Sequence, residues 1–172
     1  YLSRILGFND FQAAILAGSF SAGLYLLPTF AGAIADKIGF KKSLLIAFSL
    51  LSIGYLSMGV LPTMLESSGL VEYTKTTQFN GLRESNLKWI IIPIMLVIMI
   101  GGSFIKSCIT GTVARETTIK TRAQGYSIFY MMVNIGAFSG KTIVKPLRDA
   151  MGNEGLVTLN YFAAGITFLA VI

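Results

Sequence analysis

The sequence predicts an all-α fold embedded in a membrane, and three observations carry that prediction. Of its 172 residues, 53% are hydrophobic and only 13% are charged, where a water-soluble domain carries about a quarter. Mean hydropathy is +0.69. The charges also cluster: nearly all fall in connections between long stretches that carry one at most.

Those windows define the elements: 11–35, 43–65, 123–140 and 155–172 carry no charge, and 89–114 carries only Lys106. Spans are expected at about 11–35, 43–65, 89–114, 123–146 and 156–172, each near the roughly 17–25 residues a membrane helix needs. The last stops inside an apolar run, and no initiator Met opens the sequence. The chain is therefore expected to be part of a longer multi-pass protein. Within the first span, Gly18–Ala22 and Ser19–Gly23 are small-residue pairs suited to close helix approach, and Pro28 frees a backbone carbonyl.

Charge in the connections gives an orientation. Asp36 is outnumbered by Lys37, Lys41 and Lys42 in DKIGFKK, and Glu116 by Arg115, Lys120 and Arg122 in RETTIKTR. Short connections rich in Lys and Arg lie on the cytoplasmic side. The stretch 66–88 balances its charges and is expected to be an extracytoplasmic loop, with Trp89 as an interfacial anchor. The net charge of +6 is thus read as topology, not nucleic-acid binding. The sequence has no His, and its single Cys108 lies in an apolar run. Neither a metal cluster nor a nucleophile–base pair is suggested, so no cofactor and no enzymatic activity are expected.

The third span carries the chemistry. Lys106 lies about 13 Å along a helix from the next charge, Arg115, farther than a lysine stem can snorkel. A charge at membrane depth costs about 2.5–3.5 kcal/mol on the insertion scale and usually faces a cavity. At helical spacing, Gly102, Ser103 and Thr110 share its face. In the fourth span Ser127, Tyr130, Asn134 and Lys141 fall within roughly 60° of arc, a stripe suited to a polar ligand.

Between the first two spans stands GAIADKIGFKK, Gly32 to Lys42. Alone it reads as a short basic hairpin in which Asp36 needs a cationic neighbour. Its spacing of Gly32, Asp36, Gly39, Lys41 and Lys42 closely resembles the loop between helices two and three of the major facilitator superfamily. That resemblance implies a partial N-terminal bundle of the superfamily, helices two to six, with Asp36 as the acid of a cytoplasmic latch toward the other half of the transporter.

Within the superfamily, Gly101, Gly102 and Lys106, then Phe129, Tyr130, Asn134 and Gly136, with Tyr25 and Pro28 ahead of the loop, resemble the proton-coupled oligopeptide transporters. Ser107 stands where that family has proline, and Ala114-Arg115-Glu116-Thr117 replaces a glycine-aspartate-glutamine run. The resemblance implies proton-driven symport of di- or tripeptides across the plasma (inner) membrane. Lys106 would act in proton coupling or carboxylate binding, and Tyr130, Asn134 and Tyr25 would hold the peptide. Expected partners are a small-molecule substrate, the lipid bilayer and the other half of the transporter. The alternatives are another carrier of the superfamily (an exporter, or a carrier of organic anions or sugars) and a non-transporting membrane subunit on the same fold.

Overall fold

The computed structural model describes residues 1–67 and 86–171. Five α-helices account for nearly all of them: α1 (Asp10–Ile38), α2 (Phe40–Ser67), α3 (Ile91–Glu116), α4 (Arg122–Met151) and α5 (Asn153–Leu169). A 3-10 turn, Asn86–Ile90, leads into α3. The expected extracytoplasmic loop, 66–88, lies outside the described residues except for its ends, which belong to α2 and to that turn.

Local chemistry sets the helix boundaries. Asn9 caps α1, its side-chain oxygen accepting from the Gln12 amide at 2.7 Å, and Asp10 places a carboxylate at the favourable end of the helix dipole. At the other end Gly39 takes φ 91° and ψ 144°, a conformation essentially confined to glycine. Its amide still bonds the Ala35 carbonyl at 2.9 Å. One residue later α2 begins, and the Ser43 hydroxyl donates to the Gly39 carbonyl at 3.0 Å. A single glycine therefore separates two long helices.

Packing does not simply follow chain order. α2 lies along α3 and α5, α1 lies along α3, and α1 and α2 touch little. Glycines make the α2–α3 approach possible. A Cβ on Gly101 would lie 3.0 Å from both the Ala47 carbonyl oxygen and Leu51 Cγ, and one on Gly54 would collide with Ile98. The Ser52 hydroxyl donates to the Ala164 carbonyl at 3.2 Å, tying α2 to α5. Two apolar clusters fill the bundle: Leu6, Phe8, Leu61, Leu65 and Ile91 at one end, and Ala31, Ala47 and Phe104 nearer the other. Outward faces stay apolar, with Phe11, Phe30, Ile53 and Phe168 exposed, as a bilayer-facing surface requires.

Three helical stretches are long and apolar enough to cross a membrane: Asp10–Ile38, Phe40–Ser67 and Asn86–Glu116. The sequence expectation was five. α4 has the length, at 30 residues, but Gln124, Tyr126, Ser127, Tyr130 and Asn134 dilute its apolar part, and Lys141 and Lys145 follow. α5 has 17 residues, at the lower end of the roughly 17–25 that a span needs.

The two small-residue pairs of α1 separate. A Cβ on Gly23 would collide with Met99 of α3, and Ser19 lines a small apolar pocket with Met95 and Met99. Gly18 and Ala22 are exposed, and a Cβ on Gly18 would meet nothing within 4 Å. Only Ser19–Gly23 serves the α1–α3 contact.

Candidate functional site

A groove of about 520 Å³ runs between α1 and α3. Pro28, Gly32 and Asp36 line it from α1, Lys106, Ser107 and Thr110 from α3, and Tyr126 from α4. Lys106 is exposed, and its Nζ sits 4.1 Å from the centroid of the Tyr25 ring. A cation over an aromatic face gains about 0.5–1 kcal/mol in the open and roughly 2 when desolvated. Tyr25 gives the charge a partner, and its attraction is far weaker than a carboxylate's at the same range.

The polar face expected around Lys106 divides. Thr110 shares the groove with it, whereas Gly102 lies against α1, its Cβ position 3.0 Å from Leu24 Cδ2. Ser103 is 1% exposed and spends its hydroxyl on the Met99 and Ile100 carbonyls, both at 2.8 Å. Buried against the bundle, Ser103 has no access to a ligand in the groove.

Tyr130 and Asn134 are not brought to Lys106. Both are exposed on α4, and neither lines the groove; Tyr130 contacts Phe129 at 5.2 Å between ring centroids. The cause is how α4 leaves α3. The two helices meet at their connected ends, where Tyr126 donates to the Thr110 carbonyl at 3.3 Å and Arg122 Nη2 to the Ala114 carbonyl at 3.3 Å.

The groove ends at a charged rim. Arg115 Nη2 lies 3.2 Å from Asp36 Oδ1, and the same guanidinium lies 4.4 Å from the Phe40 ring centroid. Gly111 is what seats Phe40 there, since a Cβ at that position would lie 2.6 Å from its ring. Asp36 thus has the cationic neighbour its place at a helix C-terminus demands. Lys41 and Lys42 are exposed in the first turn of α2 and stay out of the groove.

Sequence reasoning missed a second polar feature, at the opposite end of the bundle. Lys88 is 7% exposed, with its Nζ 5.2 Å from the Phe8 ring and 5.9 Å from the Trp89 ring. It also donates to Gln12 Oε1 at 3.5 Å. Its position directly before Trp89 was the available signal. Among the described residues no group of His, Cys, Asp and Glu could hold a metal ion.

Fold and groove together define the class: an all-α membrane protein whose helices enclose a cation-bearing groove. Curated relatives make that class more specific. The chain is 28% identical over 155 residues to peptide transporter family 1 of Drosophila melanogaster, covering 86% of this chain and 18% of the fly protein. It is 26% identical over 174 residues to dipeptide and tripeptide permease B of Shigella dysenteriae, covering 100% of this chain and 31% of the permease. The chain thus spans less than a third of the length of these relatives. No protein-family model and no solved structure matches it. The chain resembles these peptide transporters of the major facilitator superfamily distantly and over part of their length, and its described residues form an all-α bundle with three candidate membrane spans. Both relatives are named for transport, neither for an enzymatic activity.

Proposed function

We propose that this chain is part of a secondary active transporter that carries di- or tripeptides with protons, and that Lys106 is the cation that receives the substrate carboxylate. The observation that carries the reading is that Lys106 lines the α1–α3 groove with its ammonium over the Tyr25 ring, in a chain whose relatives are named as peptide carriers. A lysine at this depth is costly unless a cavity or a counter-charge accommodates it. Tyr25 holds the ammonium when the groove is empty. A carboxylate then draws it away, because full opposite charges attract more strongly than a ring quadrupole does.

Alternating access would rock this bundle against the rest of the transporter about the groove. Tyr130 and Asn134 are proposed to reach the substrate from α4 once that helix packs against the remainder of the protein. The described carboxylates, Asp10, Asp36, Glu66, Glu116, Asp149 and Glu154, all sit at helix ends. The proton carrier is therefore assigned to the remainder as well. Asp36 is proposed as the latch acid, with Gly32, Gly39, Lys41 and Lys42 shaping and charging its turn, and the 66–88 stretch as an extracytoplasmic loop of a protein of the plasma (inner) membrane. Uptake of labelled dialanine by the full-length protein, with and without an imposed proton gradient, tests the reading. Gradient-dependent uptake supports it; export, or uptake of sugars or organic anions in place of the peptide, overturns it.

A further inference from the structure

The hydroxyls of α3 follow one pattern with one exception. Ser103, Thr110 and Thr112 all donate back along their own helix, to the Met99, Lys106 and Cys108 carbonyls at 2.8 Å each. This is the ordinary helical habit of Ser and Thr, and it bonds nothing outside the helix. Ser107 does otherwise. Its Oγ crosses to α1 and donates to the Pro28 carbonyl at 2.6 Å.

The surroundings explain why this bond forms and where it acts. Ser107 follows Lys106 in the chain, and Pro28 lies three residues beyond Tyr25, so the bond sits beside the Lys106–Tyr25 contact. Gly32, one turn past Pro28, lies alongside the serine: a Cβ there would sit at ordinary contact distance, 3.7 Å from Ser107 Cβ and 3.8 Å from Oγ. Near this level α1 and α3 are otherwise joined by the Lys106–Tyr25 contact and by van der Waals packing, as between Leu24 and Gly102. Bonds of this kind between membrane helices are worth about 0.6 kcal/mol on average and up to about 1.7.

We propose that Ser107 is a positioning residue, whose bond to the Pro28 carbonyl fixes the spacing of α1 and α3 and thereby holds Lys106 on Tyr25 beside the groove. It touches no substrate in this account; it sets the distance between the two residues that do. The inference rests on the proposed function for its transport readout, so the experiment carries a second readout that does not need transport.

In the full-length protein, Ser107→Ala and Ser107→Thr are compared with the parent in two ways. For uptake of labelled dialanine, Ser107→Ala is expected to raise KM roughly threefold, the size of one such bond, with the maximal rate within about twofold, and Ser107→Thr to restore KM. With spin labels at Thr29 and Thr110, two groove positions on α1 and α3, the distance distribution should broaden in Ser107→Ala and narrow again in Ser107→Thr. Equal KM and equal distance distributions in all three proteins would overturn the proposal. So would equal impairment by Ala and Thr, since the hydroxyl would then not be what matters. If the parent takes up no dialanine but the distances behave as stated, Ser107 keeps its role and the assigned substrate fails.

Discussion

Arg115 of α3 reaches Asp36 of α1 with 3.2 Å between Nη2 and Oδ1, joining residues 79 apart in sequence. Both side chains are well exposed, at 65% and 63%, so solvent screens the pair, and its direct worth is about 0.2–1 kcal/mol. Its consequence is geometric. It ties together the ends of two helices whose faces form the groove. A double-mutant cycle on Asp36→Asn and Arg115→Gln, read as thermal stability in detergent, should give a coupling within that range that shrinks with added salt. Coupling of several kcal/mol, or none at low salt, would contradict the geometry.

Gly39 makes a sharper prediction. Its φ of 91° and ψ of 144° lie where other residues cost about 1–3 kcal/mol, although a Cβ there would meet nothing within 4 Å. Gly39→Ala should lower the melting temperature through backbone strain alone, and a Gly39→Asn variant should not recover it. An unchanged melting temperature would show that the one-residue joint between α1 and α2 relaxes freely.

Gly101 and Gly32 should respond in opposite ways to the same added methyl group. At Gly101 the methyl meets the Ala47 carbonyl oxygen at 3.0 Å, backbone that cannot rotate aside, and overpacking of this kind costs about 1–3 kcal/mol. At Gly32 it meets Ser107 at ordinary contact distance, and alanine is the better helix former by about 1 kcal/mol. Thermal unfolding of Gly101→Ala and Gly32→Ala measures the contrast. Equal stability would mean that α2 and α3 pack less closely than described.

The placement of acids predicts the proton chemistry. With the described carboxylates at helix ends, neutralising Asp36 or Glu116 should leave gradient-driven uptake dependent on protons. Loss of that dependence in Asp36→Asn or Glu116→Gln, with uptake retained, would place the proton carrier in this chain.

Much of the bundle was legible in the sequence because it rests on one-dimensional signals. Charge-free length marked the stretches that became α1, α2 and α3, and the basic connections fall together at one end of the bundle, as the Asp36–Arg115 contact shows. Distance along the helix singled out Lys106 in the sequence, and the structure places it on the α1–α3 groove. It was not legible where a side chain chooses between partners. Ser107 could bond along its own helix or across to Pro28, and nothing local selects between them. Arg115 read as topology charge until α1 and α3 were seen to end side by side. Lys88 read as an ordinary loop cation, because burial against Phe8 and Gln12 depends on how the segment 1–9 folds back. The shared stripe of Tyr130 and Asn134 is a property of α4, but its distance from Lys106 depends on where α4 leaves α3, and helical periodicity does not report that.

Lys106 is the centre of the account, and one substitution tests it most directly. In the full-length protein, gradient-driven uptake and substrate counterflow of labelled dialanine are measured for the parent and for Lys106→Ala. A cation that bonds the substrate carboxylate contributes about 1.5–3 kcal/mol, so kcat/KM for uptake should fall roughly tenfold to a hundredfold in Lys106→Ala. Uptake and counterflow both equal to the parent's would remove Lys106 from the mechanism.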